Sequence, residues 1–126
     1  MTAAENDALV RRFVKEFDSP ATNPEAMGDY FTEDAVYHNI MNAPIVGRTA
    51  IVAALRAINQ MAQPAGWEIR RQMADDNAVM NERIDRFKRE GKAIELPVTG
   101  VFEVRDGKIA AWRDYFDMGM WQKQMA

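Results

Sequence analysis

Apolar residues recur at helical spacing near the start of the chain. Leu9, Val10, Phe13, Val14 and Phe17 are interleaved with Arg11, Arg12, Lys15 and Glu16, which predicts an amphipathic helix ending before Ser19-Pro20. Asn23-Pro24 reads as a cap followed by proline at the first helical position, opening a short helix that turns Met27, Tyr30 and Phe31 inward. Thr32-Glu33-Asp34 is expected to be the turn after it, and Ala35 to Ile40 a short strand. Pro44 and Gly47 interrupt any regular pattern between Met41 and Arg48. Thr49 is the expected cap of a third helix with Ile51, Val52, Leu55, Ile58 and Met61 on its buried stripe, stopped by Gln63-Pro64-Ala65-Gly66.

From Trp67 onward the period shortens to two. Turn signals at Asp75-Asp76-Asn77, Glu90-Gly91-Lys92 and Arg105-Asp106-Gly107-Lys108 separate strand-like runs, predicting an antiparallel meander. Asp117 is placed to cap a last short helix with Met118, Met120, Trp121 and Met125, whose apolar bulk suits a lid or a subunit contact. Helices first and hairpin-linked strands later predict an α+β domain, with helices covering one face of a curved antiparallel or mixed sheet. Between the layers such a fold leaves an apolar hollow suited to a small molecule.

Composition narrows this picture. A chain of 126 residues, 48% apolar and 10% aromatic, suits one globular domain spanning 1–126. A net charge of -3 provides no basic field, so nucleic acid is not an expected partner. Cysteine is absent and His38 is the only histidine, which removes disulfides, thiol nucleophiles, zinc clusters and a conventional Ser-His-Asp triad from the candidates. No stretch of about 18 apolar residues exists to span a membrane, and Met1 to Asp7 lacks a basic-then-apolar leader pattern, so the expected compartment is the cytosol.

The candidate chemistry lies in polar residues on apolar faces. Alternation from Val79 to Phe87 puts Asn81, Arg83 and Asp85 on one face with Val79 and Phe87. From Ile109 to Phe116 it groups Ala110, Trp112, Asp114 and Phe116 against Ile109, Ala111, Arg113 and Tyr115, and the bulk of Trp112 and Phe116 argues that Asp114 points inward. An inward carboxylate needs a donor, and the five donors of Arg83 could bridge Asp85 and Asp114. A structural ion network on a solvated sheet face fits the same alternation, and the pattern alone does not choose between the two. Tyr37 and Asn39 share a face on the early strand and could hold a water between them, while a core-edge tyrosine and a strand-ending asparagine fit equally. His38 falls on the opposite face and reads as structural or exposed.

Tyr37-His38-Asn39, Glu82-Arg83-Ile84-Asp85, Gly100-Val101-Phe102, Gly107-Lys108-Ile109 and Trp112-Arg113-Asp114-Tyr115-Phe116-Asp117 together resemble the limonene-1,2-epoxide hydrolase family over most of the chain. The resemblance implies a cone-shaped α+β barrel of the nuclear-transport-factor-2-like type, a homodimer, and no metal or organic cofactor. It implies roles as well: Asp114 as general base, Tyr37 and Asn39 holding the attacking water, Asp85 as general acid, and Arg83 bridging the carboxylates. The substrate implied is a small lipophilic epoxide. Protonating a strained ring oxygen while water attacks carbon lowers the barrier from both ends, and it requires two carboxyl groups in opposite protonation states.

By inward phase, the expected pocket wall is Phe13, Phe17, Met27, Leu55, Ile58, Phe87, Leu96, Val98, Trp112 and Phe116, with Met120 or Trp121 as additions. Two other functions fit part of the pattern. An isomerase or cyclase could use Tyr37 with one Asp, but Arg83 paired to both carboxylates is expected to lower their pKa values and so to favour water activation. A non-catalytic binding or dimerisation module would have no use for five convergent polar residues.

Overall fold

The computed structural model describes residues 1–21 and 23–126. Helix α1 (Ala3–Lys15) starts well before its first apolar anchor, because Thr2 and Glu5 form a capping box in which each side chain accepts the other's backbone N–H. Leu9, Val10, Phe13 and Val14 face the core from α1, and a 3-10 turn at Glu16–Asp18 adds Phe17. Pro24–Tyr30 is a 3-10 helix. Asn23 stands at its cap position without a side-chain hydrogen bond, and Pro24 fits a first turn whose N–H groups have no helical partner.

Strand β1 (Phe31–Asn39) absorbs Thr32-Glu33-Asp34, which the pattern placed in a turn. Its register against the last strand shifts between Phe31 and Val36, and this irregularity turns both Glu33 and Asp34 to solvent, breaking the alternation that marks a strand. After the short β2 (Ile45–Val46), Gly47 takes a φ of 97° and caps helix α2 (Arg48–Met61), so the cap is Gly47 and not Thr49. That left-handed corner suits glycine, and its N–H is tied to the Ala35 carbonyl at 2.7 Å.

Strand β3 (Gln63–Ala74) follows α2 after Ala62 alone, so Pro64 lies in a strand instead of a helix-stopping turn. β3 is an edge strand, where a missing donor is tolerated, and a bulge between Pro64 and Trp67 eases the entry. Strands β4 (Ala78–Arg89), β5 (Lys92–Arg105) and β6 (Lys108–Tyr115) complete the antiparallel meander through tight turns at Glu90-Gly91 and Asp106-Gly107. The sheet order is β2-β1-β6-β5-β4-β3, with β1 parallel to β6. The outer strands β2 and β3 do not pair with each other, so the cone is an open curved sheet.

One residue departs from the expected phase on β6. The β5–β6 register shifts between Glu103 and Val104, leaving Ala110 bulged and turning Ile109 inward with Trp112. The core gathers around Trp112, which stacks on Tyr37 at 4.1 Å and meets Phe13 edge-on at 5.0 Å. Helix α3 (Met118–Met125) is capped by Asp117 and rests over the rim of the sheet. The Gln124 amide holds it by bonding both the N–H and the carbonyl of Glu95, while Trp121 packs edge-on against Phe87 at 5.2 Å. Among the described residues no helix is long and apolar enough to cross a membrane.

Candidate active site

Strand β4 is hydrogen-bonded on both sides, so its side-chain phase is fixed, and Val79, Asn81, Arg83, Asp85 and Phe87 are all buried. Strand β6 points Trp112 and Asp114 to the same side. Between them β5 carries Gly100, which stands in register with Asn81 on one flank and Asp114 on the other. A Cβ there would fall inside contact distance of Arg83 Nη1, and within 2.9 Å of Asp114 Oδ1 and 3.0 Å of Asn81 Oδ1. Glycine at this position leaves the aperture through which Arg83 crosses β5 to reach β6.

Arg83 is fully buried, and Asp85 and Asp114 are 2% and 3% exposed. Arg83 Nε and Nη2 donate to the two oxygens of Asp85 at 2.9 and 3.0 Å, and Nη2 also donates to Asp114 Oδ2 at 2.9 Å. The second Asp114 oxygen accepts from Trp112 Nε1 at 2.8 Å. Beside them Asn39 Nδ2 donates to the Tyr37 hydroxyl at 3.2 Å, and Asn39 is the register neighbour of Asp114 across the parallel β1–β6 pair. Arg83, Asp85, Asp114, Tyr37 and Asn39 thus converge on one place. His38 lies on the opposite face, with Nε2 at 2.8 Å from the Asn42 carbonyl.

The electrostatics correct one expectation. Burial raises the Asp85 carboxyl to about 6, outweighing the opposing pull of Arg83, with the Asp114 charge adding to the rise. The arginine therefore does not hold the Asp85 carboxyl low: at a residue this deeply buried, desolvation dominates. Burial also pushes the Tyr37 hydroxyl well above its ordinary value, helped by Asp114. For Arg83, burial works to lower the pKa, but Asp114 and Asp85 together drive it above the usual value, so it stays charged. Its guanidinium lies 5.2 Å from the Trp67 ring centre and 5.9 Å from that of Phe102.

These groups open onto a cavity of about 170 Å³. Asp85, Asp114, Tyr37 and Asn39 line it together with Ile58, Phe87, Leu96, Val98 and Phe116. Phe13, Phe17, Met27, Leu55 and Trp112, expected by phase to form the same wall, pack beneath it. Inward phase carries a side chain to the interior, but these large residues meet across the helix–sheet interface and fill it, as the stack of Phe17 on Trp67 at 3.8 Å illustrates. Trp121 reaches the cavity, whereas Met120 is exposed. A larger, shallower depression of about 470 Å³ borders the β3–β4 turn and contains none of the three buried charges. Among the described residues no cluster of three or more His, Cys, Asp or Glu side chains is arranged to hold a metal ion.

With this geometry in place, comparison with known proteins decides the family. Residues 4–126 match the model of the limonene-1,2-epoxide hydrolase catalytic domain. The chain belongs to the limonene-1,2-epoxide hydrolase family. It is 38% identical over 106 residues to epoxide hydrolase EphG of Mycobacterium tuberculosis, an alignment covering 82% of this chain and 64% of that relative, so the chain spans less than two thirds of its length. It is also similar to the structure of an M. tuberculosis epoxide hydrolase of this family type, with TM-score 0.80 and 30% identity over 98% of this chain and 90% of that one. A protein of Jannaschia assigned as a SnoaL-like polyketide cyclase superposes with TM-score 0.84 at 12% identity over 98% and 93% of the two chains, a likeness of fold alone.

Within this member of the family, several residues at the site were not singled out by pattern. Asn42, Met61, Trp67 and Met118 complete the cavity wall. Asn42 lies in a loop and Met118 begins α3, where no periodicity reports orientation, and Trp67 follows the bulge in β3. Met61, placed by spacing on the buried stripe of α2, is instead exposed as the last residue of that helix. Gly100 leaves room instead of contributing a side chain. Asn81 shares the inward face of β4, and only its bond to Arg83 Nη1 at 2.9 Å marks it as part of the cluster.

Proposed function

We propose that this protein hydrolyses a small lipophilic epoxide to a vicinal diol in one step, with no cofactor. The observation that carries the reading is one buried arginine shared by two aspartates, both of which open onto the same apolar cavity. Asp114 accepts a proton from a water held by Tyr37 and Asn39, and the water oxygen attacks a ring carbon. As that C–O bond forms, the bond from carbon to the epoxide oxygen breaks, and the oxygen takes its proton from Asp85. The proton gained by Asp114 then returns to Asp85, which restores the site.

The environments support this division. Asp85, raised to about 6 by burial, holds a proton further toward neutral pH than an ordinary aspartate. Arg83 stays cationic and stabilises whichever carboxylate is charged. The cavity's apolar wall favours a lipophilic substrate, and its volume favours a small one. The isomerase and cyclase likenesses are below 25% identity and are likenesses of fold alone.

A homodimer in the cytosol is the assembly and location that go with this reading. Exposed Met80 and Tyr115 on the outer face of the sheet are available for such a contact, and light scattering of the purified chain tests it. The activity is tested by incubating the purified protein, without added metal or cofactor, with cyclic terpene, cycloalkene and styrene oxides. Diol is expected from at least one. Folded protein that yields diol from none of them overturns the proposal.

A further inference from the structure

The two carboxylates account for only part of the Arg83 guanidinium. Its third corner, Nη1, donates to Asn81 Oδ1 at 2.9 Å, and a line of side chains leads away from the cavity from there. Asn81 Nδ2 donates to Gln72 Oε1 at 3.1 Å, and Gln72 Nε2 donates to Asp7 Oδ1 at 2.9 Å and to the Asp7 carbonyl at 3.1 Å. Asp7 in turn accepts from Arg11 Nε, one turn further along α1, at 2.9 Å.

The polarity of this line is fixed at both ends. Arginine only donates and an ionised carboxylate only accepts, so each amide between them has a single orientation that satisfies both neighbours. The end is firmly acidic, since Gln72 and Arg11 hold the Asp7 carboxyl below its ordinary range. Asn81 is 3% exposed and does not line the apolar cavity; it borders the shallower depression together with Gln72, and both of its side-chain hydrogen bonds go to connecting Arg83 with Gln72.

That task has a mechanical consequence. Arg83 grips Asp85 along its Nε and Nη2 edge but reaches Asp114 through Nη2 alone. A planar fork held on one edge can rock, and rocking would change the distance of Nη2 from Asp114. Pinning Nη1 fixes the plane.

We propose that Asn81, backed by Gln72 and Asp7, is a positioning residue for epoxide opening: it orients the Arg83 guanidinium so that one nitrogen serves both carboxylates. The inference rests on the reading of Asp85 and Asp114 as acid and base. The charged or titratable groups facing Arg83 are Asp85 from β4, Asp114 from β6 and, more remotely, Tyr37 from β1, while Trp67 of β3 and Phe102 of β5 face it with uncharged rings.

Asn81→Val and Asn81→Thr form the test pair, because they share shape and strand preference and differ by one hydroxyl that can accept from Arg83 and donate to Gln72. Asn81→Val is expected to lower kcat about tenfold with KM nearly unchanged and to move the pH profile of kcat, whereas Asn81→Thr stays within about threefold of the parent with its profile intact. Equal loss in the two variants overturns the proposal. Titration of the aspartate carboxyls by carbon-13 NMR provides a readout that needs no turnover. The Asp85 titration should shift in the Val variant and not in the Thr variant, and an unchanged titration in both overturns the role of Asn81. Should the parent form no diol, the functional reading falls, while the NMR comparison still decides whether Asn81 orients Arg83. Gln72→Leu, at a half-exposed edge position, guards against failure of the buried variant to fold. It should shift the carboxyl titration in the same direction by less, and no shift removes the line behind Asn81 from the account.

Discussion

Two patches of the same inner sheet face are built on opposite terms. In the lower one Trp112 stacks on Tyr37 and Phe102 and meets Phe13 edge-on, a dry aromatic floor without a formal charge. In the upper one three ionisable side chains, Arg83, Asp85 and Asp114, stand together at an exposure of 3% or less. Burying the floor favours folding, since each large aromatic removes about 150–250 Å² from water. Burying the charges opposes it, at a cost of several kcal/mol per ion before their mutual attraction is counted. A chain selected for stability alone would extend the floor upward. The charged patch is therefore where function is to be sought, and Trp112 joins the two regions, its rings in the floor and its N–H on Asp114.

Substitutions that treat the patches separately should separate stability from turnover. The largest effect is expected from Asp114→Asn, which removes the proton acceptor: kcat should fall by about four powers of ten, read in the diol assay, while thermal unfolding shows an intact fold. Phe13→Ala strikes the floor instead and should cost about 3–5 kcal/mol in urea unfolding, leaving the pH profile of the remaining folded enzyme unchanged. Gly100→Ala lies on the boundary. Its methyl group displaces Arg83 Nη1, so about 1–3 kcal/mol of stability and much of kcat should be lost together.

The pH dependence sharpens the contrast further. Because the Asp85 carboxyl is raised to about 6 in the folded chain, kcat/KM should decline as pH rises above that value and the acid loses its proton. Between the ordinary aspartate value of about 3.9 and about 6, the folded state holds a proton that the unfolded chain releases, so Asp85 makes stability fall as pH rises through that window. Asp85→Asn should flatten that part of the stability profile in urea titrations at successive pH values. Thr2→Ala is the smallest change, removing the α1 cap for about 1 kcal/mol with kcat unaltered.

How much of this could be read from sequence follows from the physics of each element. On β4 the alternation was decisive because both neighbouring strands hold the register, and Arg83 and Asp85 fell on the inner face with Val79 and Phe87. On β6 the same rule placed Trp112 and Asp114 but failed at Ile109, where a bulge resets the phase. Thr32-Glu33-Asp34 hid the start of β1 because consecutive exposed residues have no period. The cavity wall was half legible: phase shows which residues point inward, but which of them meet neighbours and which meet space depends on how the layers close. Gly100 and Asn81 were the least legible, since an aperture and a third-corner contact exist only relative to Arg83.

A single turnover in oxygen-18 water, with enzyme in excess over epoxide, examines the proposed one-step addition most directly. If Asp114 activates water that attacks the ring carbon, the diol of that first turnover carries the label and no protein carboxyl does. If instead an aspartate attacks and an ester is hydrolysed afterwards, the first diol contains unlabelled protein oxygen and the label appears in the aspartate, which would contradict direct hydrolysis.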